Sequence, residues 1–277
     1  MMTGTLYIVA TPIGNLDDIT LRALRTLREA DLIACEDTRQ TRKLLDHAGI
    51  SNPTVSYHDH NEAERAAELI AKLEAGMNIA LVSDAGTPLI SDPGYRLVAA
   101  AVDAGIPVVP IPGACAAIAA LSASGLPPDA FRFCGFLPPK SSQRRKFLED
   151  LASETGTLIF YEAPHRVLNA LDDIAAVMGD RRVVLAREVS KLHEEFLRGT
   201  AAEIRAQLGE RPVVRGEITI LVGKREVGQG HALPDDAPIV AAVRALEEQG
   251  LSRMDSIKQV AKERGIPKRE VYRRLTV

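Results

Sequence analysis

The sequence has few cysteines and no long apolar run, and both absences narrow what the protein can be. Its three cysteines, Cys35, Cys115 and Cys134, are odd in number and far apart, which argues against a disulfide framework or a CxxC metal site. No apolar run approaches the roughly 20 residues that cross a bilayer, so we expect no membrane segment. Without a signal-peptide pattern before the first strand, Leu6–Ala10, we expect a cytoplasmic protein, and we predict no metal site.

Two common nucleotide-binding motifs are also missing. The first strand ends in Ala10-Thr11-Pro12-Ile13-Gly14-Asn15, which does not contain GxGxxG, so a dinucleotide-binding Rossmann domain is poorly supported. GxxxxGK[ST] is absent as well, which disfavours a P-loop. No internal repeat or low-complexity tract is visible, and 277 residues with 46% apolar content can build one large or two modest globular domains.

Charge is distributed unevenly along the chain. From Leu251 onward eight basic and three acidic residues give a net charge of +5. Because the whole chain carries −3, the remainder carries −8. An acidic body with a basic tail indicates a polyanionic partner that is met partly through the tail, although a solvated amphipathic helix has the same pattern.

Strand and helix patterns alternate over most of the chain, which predicts an α/β fold with a largely parallel first sheet. We predict two α/β domains at 1–112 and 113–223, a linker at 224–237 rich in Gly and Pro, and a helical extension at 238–277. In the second domain the predicted strands are Phe131–Phe136, Thr157–Tyr161, Arg182–Arg187 and Glu217–Gly223. The break at Arg264-Gly265-Ile266-Pro267-Lys268 makes the last two helices a helix-turn-helix-like pair.

The loop Ser83–Gly94 is the strongest indication of a ligand site. It follows an apolar run, Ile79–Val82, that is typical of a buried strand, and it consists mostly of small, turn-forming residues. A strand-to-helix connection normally takes two to six residues, so this loop is long for a plain link. Open α/β sheets bind their ligands at the carboxyl ends of the strands, which is where this loop lies.

Other strand ends carry polar or small residues that each have a structural alternative. Glu36 and Asp37 could act as a base or simply cap the next helix. Pro112–Ala117 begins a helix with residues small enough for a ligand, or for close helix packing, to approach. The basic loop Pro138–Lys146 could contact phosphate or could simply be a solvated surface loop. His165 follows the predicted strand Thr157–Tyr161, and a single histidine at such a position is more often structural than catalytic.

Taken together, these segments resemble a known family. In chain order they are Thr11-Pro12-Ile13-Gly14-Asn15, Glu36-Asp37-Thr38-Arg39, Ser83–Gly94, Pro112–Ala117 and Phe160-Tyr161-Glu162-Ala163-Pro164-His165-Arg166. This order is similar to that of the ribose 2′-O-methyltransferase branch of the tetrapyrrole methylase superfamily, the class III methyltransferases that use S-adenosylmethionine (SAM). The resemblance covers essentially the whole chain, including the basic tail.

The resemblance implies two α/β domains with SAM in the cleft between them, commonly in a homodimer. Matched motif by motif, it implies cofactor contacts from Pro12, Gly14, Val82, Ser83, Asp84, Gly86, Cys115, Ala116, Glu162 and Ser190. The reaction would be displacement of the sulfonium methyl by a ribose 2′-hydroxyl, for which a base should help. Our candidates for that base are Glu36, Asp37 and His165.

The resemblance also implies the substrate, which is a cytidine in the decoding region of 16S rRNA within the small ribosomal subunit. We expect the RNA to be met by basic residues of the helix after the second strand, of the segment Pro138–Lys146 and of the tail, namely Arg39, Arg42, Lys140, Arg144, Arg145, Lys268, Arg269 and Arg273. Two alternatives remain, a precorrin-type tetrapyrrole C-methyltransferase on the same fold and a ligand-sensing regulator whose helix-turn-helix pair binds DNA. Neither explains both the basic loop and the strand-end carboxylates.

Overall fold

The computed structural model describes residues 3–59, 61–224, 239–248 and 250–275, and of Arg273 only the backbone. The chain divides into two compact units, Met1–Lys224 and Arg225–Val277. The predicted division near residue 112 falls inside the first unit, between its two sheets, and stays a prediction. Apart from Lys224, the predicted linker at 224–237 lies outside the described residues.

The first sheet of the first unit is entirely parallel, as the alternating pattern predicts. Its strands are β1 (Leu6–Val9), β2 (Leu32–Cys35), β3 (Thr54–Ser56), β4 (Ile79–Val82) and β5 (Val108–Ile111), in the spatial order β3-β2-β4-β1-β5. Helices α1 (Leu21–Glu29), α2 (Thr38–His47), α3 (Glu62–Glu74) and α4 (Tyr95–Asp103) connect the strands. Because all strands run the same way, the loops after β1, β2, β4 and β5 meet at one edge of the sheet.

The second sheet is mixed. Its strands are β6 (Phe131–Phe136), β7 (Thr157–Glu162), β8 (Val183–Arg187), β9 (Glu195–Gly199) and β10 (Ile218–Val222), in the order β6-β7-β10-β8-β9. Only β6 and β7 are parallel neighbours. Ile218 at the start of β10 therefore lies opposite Glu162 at the end of β7. The helices are α5 (Ala116–Ser124), α6 (Ser141–Asp150), α7 (Val167–Met178) and α8 (Ala201–Gly209).

Two elements of this half were missed by the sequence analysis, β9 and α8. Strand β9 is at the edge of its sheet and its residues are only partly buried, so they show no apolar run. Helix α8 begins at a capping box in which Thr200 and Glu203 bond each other's backbone. Thr200 and Glu203 stand three residues apart in the sequence, a spacing from which the start of this helix could have been read.

The second unit contains three described helices with a small core of their own. They are α9 (Ile239–Glu248), α10 (Arg253–Glu263) and α11 (Lys268–Leu275), and the core includes Val243, Ile257, Val260 and Val271. Gly265 makes the turn before α11 with φ of 62°, which glycine adopts without strain. A helix-turn-helix role for α10 and α11 stays a prediction. Among the described residues no helix is both long and apolar enough to cross a membrane.

Candidate functional site

A cavity of about 340 Å³ in the first unit is lined by strand ends from both sheets. The first sheet contributes the loop after β4 and the connection from β5 to α5, and the second sheet contributes the ends of β6 and β7 and the start of β10. The lining residues that carry chemistry are Asp84, Thr87, Ser91, Asp92, Cys115, Tyr161, Glu162, Glu217 and Thr219. A volume of this size is typical of small-molecule sites.

The loop after β4 is fixed to the first loop by an isolated bridge. Thr11 N–H donates to Gly86 O at 2.9 Å, and Gly86 N–H donates back to Thr11 O at 3.1 Å. Gly86 has φ of 84°, and a Cβ there would lie 3.3 Å from Ile13, which also lines the cavity. The small residues that the sequence places in this loop therefore let its backbone form a cavity wall.

Backbone strain is concentrated beside the cavity. In the part of the chain that the structure describes, the non-glycine residues with positive φ are Leu89, Ser91, Glu188 and Ser190. The first two flank Ile90 and the second two flank Val189, and both of these middle residues line the cavity. Such conformations cost on the order of 1–3 kcal/mol each and cluster at ligand sites, so the strain points to the same cavity.

The start of α5 brings backbone close to the cavity. Cys115 and Ala116 line it, and the backbone N–H of Ala117 donates to the Tyr161 hydroxyl at 3.3 Å. Burial is the main cause that raises the pKa of Tyr161 to about 12, so this phenol stays neutral at physiological pH. The helix start and the end of β7 are thus held together across the cavity wall.

The cavity lining is acidic. Asp84, Asp92, Glu162 and Glu217 line it, and none of the described residues in the lining is basic. Burial, and next the negative charge of Glu36, raise the pKa of Asp92 to about 6, with smaller contributions from Asp84 and Asp59 and an opposing hydrogen bond from Ser83. Glu162 pairs with Arg166 and Glu217 pairs with Lys191, both from outside the lining, so the negative charge that favours a cationic ligand comes mainly from Asp84 and Asp92. The described residues contain no group of three or more His, Cys, Asp or Glu that could hold a metal ion.

One carboxylate oxygen of Glu162 is buried without a hydrogen-bond partner among the described residues. Its Oε1 accepts hydrogen bonds from Ala163 N–H at 2.7 Å and pairs with the Arg166 guanidinium at 2.6 Å. Its Oε2 is buried and has no hydrogen-bond partner among the described residues. Buried polar atoms are nearly always bonded, so an unpaired carboxylate oxygen in a cavity wall indicates a ligand donor.

The cofactor contacts implied by the resemblance fall into three groups. Asp84, Gly86, Cys115, Ala116 and Glu162 line the cavity. Pro12, Val82 and Ser83 are buried and stand within two residues of the lining residues Ile13 and Asp84 in the chain. Ser83 Oγ donates to the carbonyls of Ala85 and Gly86. Gly14 and Ser190 lie outside the lining, where the first loop meets the loop after β8.

That contact between two loops explains both outlying residues. Ser190 Oγ hydrogen-bonds the Asp18 carboxylate, and the Lys191 side chain crosses Gly14 so closely that a Cβ there would lie 2.2 Å from Lys191 Cγ. Lys191 is itself held by Glu188, with Nζ to Oε1 at 2.9 Å. The structure thus places Gly14 and Ser190 where they join the two halves of the unit beside the cavity.

The three candidate bases lie outside the cavity lining. Asp37 is the N-cap of α2, and its carboxylate accepts from the backbone and guanidinium of Arg39, which lowers its pKa. Burial and the nearby charge of Asp84 raise the pKa of half-buried Glu36. His165 is exposed in the turn before α7. Asp37 N–H donates to Asp84 Oδ1 at 3.0 Å, which connects this carboxylate group to the cavity.

The predicted RNA contacts include one error. Arg144 is only 2% exposed, and its guanidinium bonds Asp173 and the carbonyls of Pro138, Pro139 and Asn169, so it cannot meet RNA. Arg145 also bonds Asp173 but is half exposed. Arg39, Lys140, Lys268 and Arg269 are exposed, Arg42 is partly buried, and the Arg273 side chain lies outside the described part of the structure.

Several lining residues were not predicted from the sequence, and Asp92 and Phe136 are the most informative of them. Asp92 shares the loop Ser83–Gly94 with Asp84, and these two are the ionisable residues of that loop. That feature could have identified Asp92 as a site residue from the sequence. Glu217 and Thr219 could not be found in this way, because they reach the cavity only through the antiparallel direction of β10.

Comparison with known proteins supports one fold and one group of relatives. Residues 5–205 match the family of Tetrapyrrole (Corrin/Porphyrin) Methylases. A protein of Halalkalibacterium halodurans named ribosomal RNA small subunit methyltransferase I is 50% identical over 275 residues, which covers 97% of this chain and 93% of that protein. The protein of the same name from Synechocystis sp. is 49% identical, with 97% and 96% covered.

Solved structures show the same fold at lower identity. A diphthine synthase matches with a TM-score of 0.61 and 15% identity over 79% of this chain and 90% of its own. A cobalt precorrin-4 methyltransferase matches with a TM-score of 0.57 and 18% identity over 79% of this chain and 94% of its own. At these identities the likeness concerns the fold alone.

Proposed function

The chain belongs to the tetrapyrrole methylase family and, within it, to the ribosomal RNA small subunit methyltransferases I, and on that premise we propose its reaction. It transfers the methyl group of SAM to the ribose 2′-oxygen of a cytidine in the decoding region of 16S rRNA, in the small ribosomal subunit. The observation that carries the cofactor assignment is the cavity with four carboxylates and, among its described lining, no basic residue.

The residues of the cavity fit SAM, whose sulfonium and ammonium groups are cationic. Asp84 and Asp92 supply negative charge on the side of the first sheet, and the free Oε2 of Glu162 accepts a hydrogen bond from the other side. Gly86, Cys115 and Ala116 leave room for the bulk of the ligand next to exposed backbone. When bound, SAM supplies a methyl group already activated for displacement, so the protein mainly orients the two reactants.

A ribose hydroxyl is a weak nucleophile at neutral pH, so a carboxylate near it should accelerate the transfer. Of the three candidates, Glu36 best combines a raised pKa with a place beside the cavity carboxylates. The carboxylate oxygens of Asp37 instead accept hydrogen bonds from Arg39, and the Asp37 backbone N–H donates to Asp84 and so orients it. A single-turnover rate that stays unchanged in Glu36→Gln would remove Glu36 from this role.

The RNA is bound by cations outside the cavity. Arg39, Lys140 and Arg145 in the first unit and Lys268 and Arg269 on α11 are exposed enough to meet phosphates. Contacts of this kind position the RNA without reading its sequence. A cytoplasmic homodimer is part of the proposal, and sedimentation of the purified chain tests the dimer.

The decisive experiment uses tritiated SAM and purified full-length protein. Small subunits that lack the modification should accept label in 16S rRNA, and the labelled linkage should resist alkali because its 2′-oxygen is methylated. A tetrapyrrole precursor and duplex DNA serve as the comparison acceptors. Label in the tetrapyrrole, or none in the rRNA, would overturn the proposed function.

A further inference from the structure

Two exposed apolar side chains remain unexplained at the cavity. Phe136 and Ile90 both line it, yet they are 53% and 38% exposed. They come from different sheets, Phe136 from the end of β6 and Ile90 from the loop after β4. Single exposed apolar residues need no explanation, but two that share one cavity form an apolar edge where it opens to solvent.

The backbone departs from regular geometry at both positions. The register of β6 against β7 shifts between Phe133 and Phe136, and Gly135 within the shift has φ of 67°. Ile90 stands between Leu89 and Ser91, whose φ values are 72° and 68°. Bulges and strained residues beside an active site re-aim side chains, and they persist because the surroundings hold them.

The two segments also approach each other. A Cβ built on Gly135 would lie 3.8 Å from Ser91 Oγ, so the irregular end of β6 lies against the loop that carries Ile90. The ring of Phe136 meets Tyr161 edge to face, with 5.7 Å between centroids and 64° between planes. Tyr161 is held in the cavity wall, because its hydroxyl accepts a hydrogen bond from Ala117 N–H. Phe136 is the more exposed of these two aromatic rings.

We propose that Phe136 and Ile90 form a slot that holds the nucleobase of the target nucleotide while its ribose faces the cavity. The inference rests on the function proposed above. Proteins that recognise one particular RNA nucleotide mostly bind it in a single-stranded region, where the unstacked base is held by stacking on aromatic side chains. Neither end of SAM suits this slot. The charged end of SAM is expected beside the cavity carboxylates, and its adenine is expected to be more deeply buried than these half-exposed side chains allow, because small-molecule sites bury most of their ligand.

The test compares Phe136→Ala with Phe131→Ala. Phe131 lies on the same strand and is 46% exposed, but it is not part of the lining, so it controls for loss of an exposed ring from β6. With unmodified small subunits as substrate, we expect Phe136→Ala to lower kcat/KM about 10- to 100-fold, as for loss of one base–aromatic stack. Phe131→Ala should stay near the wild-type value, and Phe136→Tyr, which keeps the ring face, should retain most of it.

Calorimetric SAM affinity separates the alternatives. The slot predicts an unchanged Kd for SAM in Phe136→Ala and a loss of kcat/KM in Ile90→Ser as well. A weakened SAM affinity in Phe136→Ala would overturn the inference and assign the ring to the cofactor. Normal kcat/KM in that variant would overturn it too. If wild-type protein does not label small subunits at all, the proposed function has failed rather than the slot.

Discussion

The guanidinium of Arg144 and the carboxylate of Asp173 form an ion pair in the interior of the first unit, with Nη2 and Oδ2 2.6 Å apart and both side chains at most 3% exposed. Arg144 belongs to α6 and Asp173 to α7, so the pair joins two neighbouring helices. Ser141 and Arg145 also donate to Asp173. Burial alone would raise the carboxyl pKa of Asp173, but the hydrogen bonds from Arg145, Ser141 and Arg144 together outweigh it and lower this pKa.

Removing Arg144 should therefore affect stability rather than RNA binding. Arg144→Ala leaves a buried carboxylate with only Arg145 and Ser141, and we expect a loss of about 3–5 kcal/mol. Lys146→Ala is the matched control, because Lys146 is an exposed cation on the same helix, and its effect should stay within about 0.5 kcal/mol. Chemical denaturation followed by circular dichroism measures both. Equal stability of the two variants would contradict the structural role.

The basic loop shows where sequence reasoning reached its limit. Lys140, Arg144, Arg145 and Lys146 look alike in the sequence as a cationic stretch. Only the helical positions of α6 decide that Arg144 turns inward, and only the packing of α7 supplies Asp173 to receive it. A partner 29 residues away cannot be recognised from composition.

Most of the first sheet was predictable, although its short edge strand β3 was not predicted, and the second sheet was less so. Apolar runs such as Ile79–Val82 are buried on both faces and stand out in the sequence. The edge strand β9 is only half-buried, so it has no apolar run that would stand out in the sequence. The strand direction of β10 is a tertiary property, so the sequence could place Asp84 and Glu162 at strand ends but could not bring Thr219 to the same cavity.

Gly86 should be required both for its backbone conformation and for the space beside it. Gly86→Ala places a Cβ on a residue with φ of 84° and 3.3 Å from Ile13 in the cavity wall. Gly105→Ala is the control, since φ is 67° and nothing lies within 4 Å of its Cβ position. Both should lose about 1 kcal/mol to backbone strain. Only Gly86→Ala should weaken SAM binding in calorimetry, and equal SAM affinity of the two variants would argue against this wall.

The basic end of α11 should contribute to ribosome binding through phosphates. Replacing exposed Lys268 and Arg269 with Ala should weaken small-subunit binding at low salt and reduce the slope of log K against log salt by about 1–2. Arg22→Ala with Arg25→Ala on α1 removes the same charge from an exposed helix face and should change the slope little. Filter binding over a salt series gives the slopes, and identical slopes for the two double variants would contradict a specific role of α11.

Asp92 should make SAM binding depend on pH. In the protein without ligand the pKa of Asp92 is about 6, raised by burial and by the carboxylates of Glu36, Asp84 and Asp59, while a hydrogen bond with Ser83 opposes the rise. Tyr161, which interacts electrostatically with Asp92, stays neutral over this pH range. A cationic ligand binds the ionised carboxylate better than the protonated acid. As the pH falls from 7 to 5, Asp92 takes up a proton, so the Kd for SAM should be flat near pH 7 and rise below about pH 6.

The variant Asp92→Asn separates this carboxyl from its neighbours. It should bind SAM more weakly than wild type at pH 7 and lose most of the rise in Kd at lower pH, because its side chain cannot ionise. Asp129→Asn is the control, since Asp129 is largely exposed and outside the cavity lining, and it should follow wild type across the range. Calorimetry between pH 5 and 7 provides the curves. A rise that persists in Asp92→Asn would transfer the titration to Glu36, whose pKa is also raised, by burial and by the Asp84 charge.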